Sequence, residues 1–382
     1  MREPLAFASD AGGRGPIDSR AGPPYGPSCM SSEIGRRKDE HIALASSDAV
    51  AFRERTTLLE QVTLIHDSLP ELALDEIDLR TELLGKTLRA PIVIAAMTGG
   101  TERAGSINRE LAAIAEARGY ALGLGSQRAM QKDPSVAATF RVRDVAPTAL
   151  LLGNLGVVQA RDESTSEIAE LVASVGADAL CVHMNPAQEM VQPGGDRDFR
   201  GGLETFAKLV GELSVPIVAK ETGCGVSARV AKALRDVGVE TIDVSGAGGT
   251  SWVAVETLRA DGAARALGER FWDWGIPTAV SVAWVSRAGL APIATGGIKS
   301  GLDVARAIAL GARAAGIARP VLQALQGGGR AGAEAFLDQI EAELRTAMLL
   351  CGAGTLDELR TAPRVLGAEL GRWIDAGDLR AR

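Results

Sequence analysis

Polar residues able to do chemistry recur at the ends of short apolar runs. Met97-Thr98-Gly99-Gly100 closes the run that starts at Ala90, Gly125-Ser126-Gln127-Arg128 follows Leu124, and Asn154 ends TALLLGN. His183, Asn185, Gln188 and Glu189 fall within HMNPAQE, Lys220, Glu221 and Thr222 end VPIVAKET, and Ser245 with Gly248-Gly249-Thr250-Ser251 follows TIDV. The last two runs lead into Gly296-Gly297 and Gly316-Ile317-Ala318. If the runs are parallel strands of a closed barrel, all these groups converge on one mouth, where the loops of such a barrel carry its chemistry.

Each cluster suggests its own use. Gly296 and Gly297 lack Cβ atoms, and backbone amides after the last two strands of a barrel, with a helix N-terminus, form its usual phosphate cradle. Either turn alone reads as a tight turn; two on adjacent strands, with Gly248-Gly249-Thr250 nearby, favour a bound phosphate. Lys220 ends an otherwise apolar strand, so its ammonium points into the mouth, where it could stabilise negative density on an electron-rich ring such as a reduced flavin. Pairing with Glu221 is the structural alternative. In HMNPAQE, Glu189 is the hard carboxylate that suits Mg2+, with substrate phosphates completing the ion's shell. His183 taken alone reads equally as a strand-end histidine bonded to backbone. Gly35 to His41 (GRRKDEH) is a solvated run on charge alone. Arg37 and His41 nonetheless lie at i and i+4, with Lys38 beside them, and could clamp an anion if the segment folds over the mouth. His66, in LIHDSLP, is read as structural.

The elements that must position these groups follow a single rhythm. Strand candidates at 90–97, 121–124, 148–154, 178–184, 215–221, 241–246, 291–297 and 314–318 alternate with helical patterns such as 106–119, 228–238 and 301–312. Eight βα repeats predict a TIM (β/α)8 barrel, an α/β fold. Residues 247–278 interrupt the rhythm with an insertion long for a βα loop, and Trp252, Trp272 and Trp274 argue that it is ordered. Residues 1–32, rich in Gly, Pro, Ser and Arg, read as a disordered tail. Residues 33–89 form an N-terminal extension contributing to the substrate site, 90–352 the barrel, and 353–382 a C-terminal extension.

Composition narrows the field. A chain of 382 residues, 46% apolar, can bury one large core. A net charge of −7 provides no global attraction for nucleic acid or an anionic membrane, so an anionic ligand must be held by a few local cations. Cys29, Cys181, Cys224 and Cys351 are scattered without a CxxC pair, which argues against zinc and disulfides and fits a reducing cytoplasm. The sequence shows neither an export leader nor an apolar run of the ~20 residues a membrane span needs.

Together, RKDEHI, AAMTGG, GSQRA, GNLG (153–156), HMNPAQE, KETGCG, DVSGAGGTSW, FWDWGIPT, ATGGIKSGLDVARAIALGA and GIARP resemble the type 2, FMN-dependent isopentenyl-diphosphate isomerases, in order, from about residue 34 to about residue 350. The resemblance implies that Met97, Thr98, Gly99, Ser126, Asn154, Lys220, Thr222, Thr250, Gly296, Gly297 and Ala318 meet FMN. It implies that Arg37, Lys38, His41, Ser126, Arg128, His183 and Asn185 bind a diphosphate substrate, that Gln188 stands at the reacting carbons, and that Glu189 meets Mg2+. It further implies FMN reduced by NADPH and a homotetramer or homo-octamer. Lys299 departs from the pattern, standing where an arginine is usual, so a bidentate contact near the flavin phosphate becomes a single-point one. The tail is longer than the pattern requires.

Such an enzyme would shift a double bond between isopentenyl and dimethylallyl diphosphate. The path runs through a tertiary cation, or something near it, sheltered against the electron-rich face of reduced FMN. Gln188 does not titrate usefully, so it is expected to orient or relay a proton, with Lys220 supporting the flavin. The competing enzyme reading is an FMN-dependent 2-hydroxy-acid dehydrogenase or oxidase, which needs a histidine base and an arginine where this chain has ATGGIKS. A non-catalytic flavin or isoprenoid-phosphate binding protein is the alternative of another class.

Overall fold

The computed structural model describes residues 33–377, so the tail expected over 1–32 lies outside the described residues. Eight parallel strands close into a barrel in sequence order. They are β1 (Ile92–Ile94), β2 (Ala121–Gly123), β3 (Leu150–Gly156), β4 (Ala179–Met184), β5 (Ile217–Glu221), β6 (Thr241–Asp243), β7 (Ala291–Thr295) and β8 (Ala314–Ile317). Seven fall within the runs read from the sequence and β3 runs two residues past its own, while helices Glu102–Arg118, Ala228–Asp236 and Gly301–Ala309 occupy the expected helical stretches.

The two-residue period of a strand sorts the side chains into layers. Ile92, Ile94, Leu151, Val182, Ala219, Ile242 and Ile317 face outward into the core shared with the helices. Val93, Ala121, Leu150, Leu152, Ala179, Cys181, Val218, Ile293 and Ala314 form a separate apolar layer filling the barrel. Continuing that inward series by two residues reaches Asn154, His183, Lys220 and Thr295, with Asp243 the partner of Lys220 in the β5–β6 register. The interior is thus apolar at the bottom and polar at the C-terminal mouth. Below, a hairpin of Thr81–Leu83 and Lys86–Leu88 plugs the barrel with Leu83 and Leu88. Its Leu84-Gly85 turn has φ of 52° and 80°, the left-handed pair that matches the twist of a two-residue hairpin.

Two features complete the mouth. The 247–278 insertion is no long loop: helices Trp252–Arg259 and Gly262–Phe271 fill most of it. The N-terminal extension places helix Glu33–Ala45 over the opening, pinned at several points. Thr101 donates to Asp39 at 2.9 Å, Arg259 pairs with Glu40 at 2.9 Å, and Gln323 donates to the Ser46 carbonyl at 2.9 Å. The supposedly solvated GRRKDEH run is therefore folded over the site. Further along, Val62–Leu64 pairs antiparallel with Arg364–Leu366, so the N- and C-terminal extensions share one small sheet. No described helix is long and apolar enough to cross a membrane.

Candidate active site

The mouth holds a cavity of about 620 Å³, within the size range of small-molecule sites. Met97, Thr98, Ser126, Asn154, Lys220, Thr222, Thr250, Gly296, Gly297 and Ala318 line it, as do Arg37, Lys38, His41, Arg128, His183, Asn185, Gln188 and Glu189. Of the residues that the family resemblance assigns to cofactor, substrate or metal, Gly99 lies off the wall. Its missing Cβ leaves room for Phe140, whose Cε1 would sit 2.0 Å from such an atom. His66 is exposed and away from the cavity.

Lys220 is buried, and it does not pair with the Glu221 carboxylate. Its ammonium donates to Asp243 Oδ2 at 2.8 Å, to Ser245 Oγ at 2.7 Å and to the Glu221 carbonyl at 3.2 Å. The β5–β6 register sets Lys220 directly beside Asp243, which sequence reading passed over inside TIDV. Asp243 also accepts from the amide and hydroxyl of Ser245, whose φ of 34° is a strained value for a side-chain-bearing residue. The Glu221 carboxylate instead collects the amides of Thr222, Gly223 and Cys224. Burial pushes its pKa up to about 7, against the pull of those amides and of Lys220.

A cation cluster occupies the side under the N-terminal helix. Burial, then Arg37 and Arg128, bring Lys38 down to about 8. Arg128 is only loosely paired, 3.5 Å from Asp196. In a chain of net charge −7, seven cationic residues (Arg37, Lys38, Arg128, Lys132, Lys220, Lys299 and Arg319) line this cavity against the carboxylates of Asp48 and Glu189. Such a local excess is relieved by an anion.

Glu256, like Asp243, was missed by sequence reading. It is fully buried midway along helix Trp252–Arg259, and its Oε1 accepts from His41 Nε2 at 2.9 Å and Gln188 Nε2 at 3.2 Å. Arg259 pairs with its other oxygen at 2.6 Å. Burial would raise the Glu256 pKa, but His41, Arg259 and Gln188 together hold it below the usual carboxylate range. His41 also stands edge-on to Trp252, with ring centroids 5.4 Å apart. A lone Glu in WVAVETLR gave no local signal; only the fold brings it to Gln188.

Four buried side-chain atoms among the described residues lack a hydrogen-bond partner: Arg37 Nε, Thr98 Oγ1, Thr295 Oγ1 and Arg360 Nη2. Three of these residues line the cavity. Buried polar groups are rarely left unpaired, so their concentration here points to a polar ligand. The glycine turns at the cavity pack backbone against backbone: a Cβ on Gly249 would come within 2.4 Å of the Gly297 amide nitrogen. FMN fits this wall, with small cradle residues for its phosphate, a buried cation for its ring and orphan hydroxyls for its polar edge. Mg2+ fits only as a shared ion. Glu189 Oε1 already accepts from Asn185, its Oε2 from Gln192 and the Asp196 amide, and the described residues offer no cluster of three His, Cys, Asp or Glu.

The chain matches the FMN-dependent dehydrogenase family over residues 31–188 and 183–365. A mandelate oxidase structure with benzoyl-formic acid superimposes with a TM-score of 0.59 at 19% identity, covering 87% of this chain and 94% of that one, a likeness of fold. Barrel, mouth and match define an α/β barrel of the FMN-dependent dehydrogenase class. Within that class, a Methanothermobacter thermautotrophicus protein named isopentenyl-diphosphate delta-isomerase is 46% identical over 345 residues, covering 90% of this chain and 96% of the relative. One of the same name from Thermococcus kodakarensis is 45% identical over 349 residues, covering 89% and 93%. The chain belongs to the isopentenyl-diphosphate delta-isomerase family.

Proposed function

We propose that the protein interconverts isopentenyl and dimethylallyl diphosphate, in isoprenoid biosynthesis, with reduced FMN bound across the barrel mouth. The observation that carries this reading is one cavity uniting an excess of cations over carboxylates with a glycine cradle and a buried Lys220. Bound FMN in its reduced form supplies an electron-rich face and an exchangeable ring proton. The chain's own residues do the rest. Lys220, held by Asp243 and Ser245, would support the flavin ring; Gly296 and Gly297 would admit the flavin phosphate; Lys299 would offer that phosphate a single ammonium. Arg37, Lys38, Arg128 and Asn185 grip the substrate diphosphate under the N-terminal helix. Gln188, its amide oriented by Glu256, stands over the reacting carbons and passes or holds a proton there.

NADPH is the proposed reductant, and Mg2+ the proposed bridge between Glu189 and the substrate phosphates. A homotetramer or homo-octamer in the cytoplasm completes the reading. Anaerobic incubation with FMN, NADPH, Mg2+ and isopentenyl diphosphate tests it: the allylic isomer is the expected product, and its absence from flavin-loaded enzyme ends the proposal. A 2-hydroxy-acid oxidation is disfavoured at the end of β7, where Thr295-Gly296-Gly297 offers no imidazole base.

Two variants probe the cofactor walls separately. Gly297→Ala places a Cβ 2.4 Å from Thr57 Cγ2 and 2.7 Å from the Gly248 carbonyl at a φ of 75°. FMN affinity, followed by quenching of flavin fluorescence, is expected to fall at least about tenfold, the effect of roughly 1.4 kcal/mol of strain; an unchanged affinity argues against the cradle. Glu189→Gln is expected to raise the Mg2+ concentration for half-maximal turnover by about tenfold with FMN binding unchanged. An unaltered Mg2+ titration would free Glu189 of that role.

A further inference from the structure

The Asn154 side chain is committed at both ends. Its Nδ2 donates to the Leu124 carbonyl at 3.0 Å, and its Oδ1 lies 2.9 Å from His183 Nδ1. A carbonyl only accepts, so turning the amide over would set two oxygens against each other. The oxygen facing His183 likewise only accepts, so Nδ1 must carry a hydrogen. A neutral imidazole has one N–H, and Nε2, the nitrogen left for the cavity, therefore presents a lone pair. The arrangement is rigid. Fully buried Gln127 accepts from the Asn154 amide at 2.9 Å and donates its own amide to the Asn154 carbonyl at 2.8 Å.

The surroundings keep the ring neutral. Burial acts first, followed by Lys220 on β5, Lys38 on the N-terminal helix and Arg128 after β2, and together they hold the His183 pKa down to about 3. Asn154 on β3 and Gln159 on the helix that follows it are uncharged neighbours along the same wall. An anionic diphosphate offers only acceptors at this pH, so a ring with its lone pair turned to the cavity repels the ligand it is meant to hold.

We propose that Asn154 locks His183 in the tautomer unable to donate to an anion, so that His183 takes up a proton when the diphosphate binds. This rests on the reading of His183 as a substrate ligand. A solvent proton adds to Nε2 and no bond breaks. The imidazolium then donates from Nδ1 to Asn154 and from Nε2 to a phosphate oxygen. The anion's arrival among Lys38, Arg128 and Lys220 offsets the repulsion that adds to burial in keeping the ring neutral and gives the imidazolium a counter-charge, and the new charge offsets part of the ligand's. Asn154 thus acts as a positioning residue for His183.

Calorimetry tests this: isopentenyl diphosphate is titrated into the oxidised FMN holoenzyme near neutral pH, in buffers of different ionisation enthalpy. The dependence of heat on buffer counts protons taken up. His183→Asn is expected to bind more weakly and to take up about one proton fewer per site than the wild type. Asn154→Ala frees the ring to place its hydrogen on Nε2, and is expected to lose more than half of that difference while still binding. Equal uptake in wild type and His183→Asn overturns the proposal, and wild-type uptake in Asn154→Ala overturns the lock. Absence of saturable binding by the wild type would instead count against the substrate reading itself.

Discussion

Replacing Lys220 with methionine is expected to lower turnover on the order of 10³-fold and to weaken FMN binding by at least about 10²-fold, as removal of a preorganised electrostatic group does. The substitution keeps the length of the side chain and deletes its charge. Asp243, whose side chain is only 8% exposed, then loses its partner, and stranding a buried charge costs about 3–5 kcal/mol. Loss of activity could thus reflect a weakened fold. Adding Asp243→Asn separates the two effects, because it removes the stranded charge without restoring the cation. The double variant is expected to recover thermal stability and to remain inactive. Normal flavin affinity and turnover in Lys220→Met would take the lysine out of the mechanism.

Gln188→Asn is expected to act on the chemical step. The change withdraws the amide by one methylene, out of reach of a Glu256 oxygen now 3.2 Å away, and adds no charge. Turnover should fall on the order of 10²-fold, the scale of losing a positioned proton-transfer group. KM should stay within about twofold, since the bond Gln188 gives up with Asn185 is a long one of 3.4 Å and the cations are untouched. Steady-state kinetics on enzyme saturated with reduced flavin makes the comparison. A rise in KM with unchanged kcat would assign Gln188 to binding alone.

Much of the barrel was legible because parallel strands buried on both faces leave near-continuous apolar runs, and because polar residues gather at one end of each. Lys220 stood out as one charge ending an apolar run. Its counter-ion did not, since Asp243 sits mid-run and becomes the lysine's partner only through the β5–β6 register. Glu256 was invisible for a similar reason: 215 residues separate it from His41 and 68 from Gln188. The 247–278 insertion read as a loop because Gly and Trp obscure a helical period that packing against the extension restores. Trp272 donates to the Ala51 carbonyl at 2.9 Å, and Arg53 stacks 3.7 Å over its ring. Gly99 has a packing role that the motif did not reveal. Its place in AAMTGG suggested flavin contact, while its want of a side chain serves Phe140.

The small sheet joining Val62–Leu64 to Arg364–Leu366 has a temporal consequence. Leu64 pairs with Arg364 across 300 residues of chain, so this sheet can form only after the whole barrel sequence between its two strands has been synthesised. A nascent chain therefore joins its two extensions only around a barrel whose eight strands are already available.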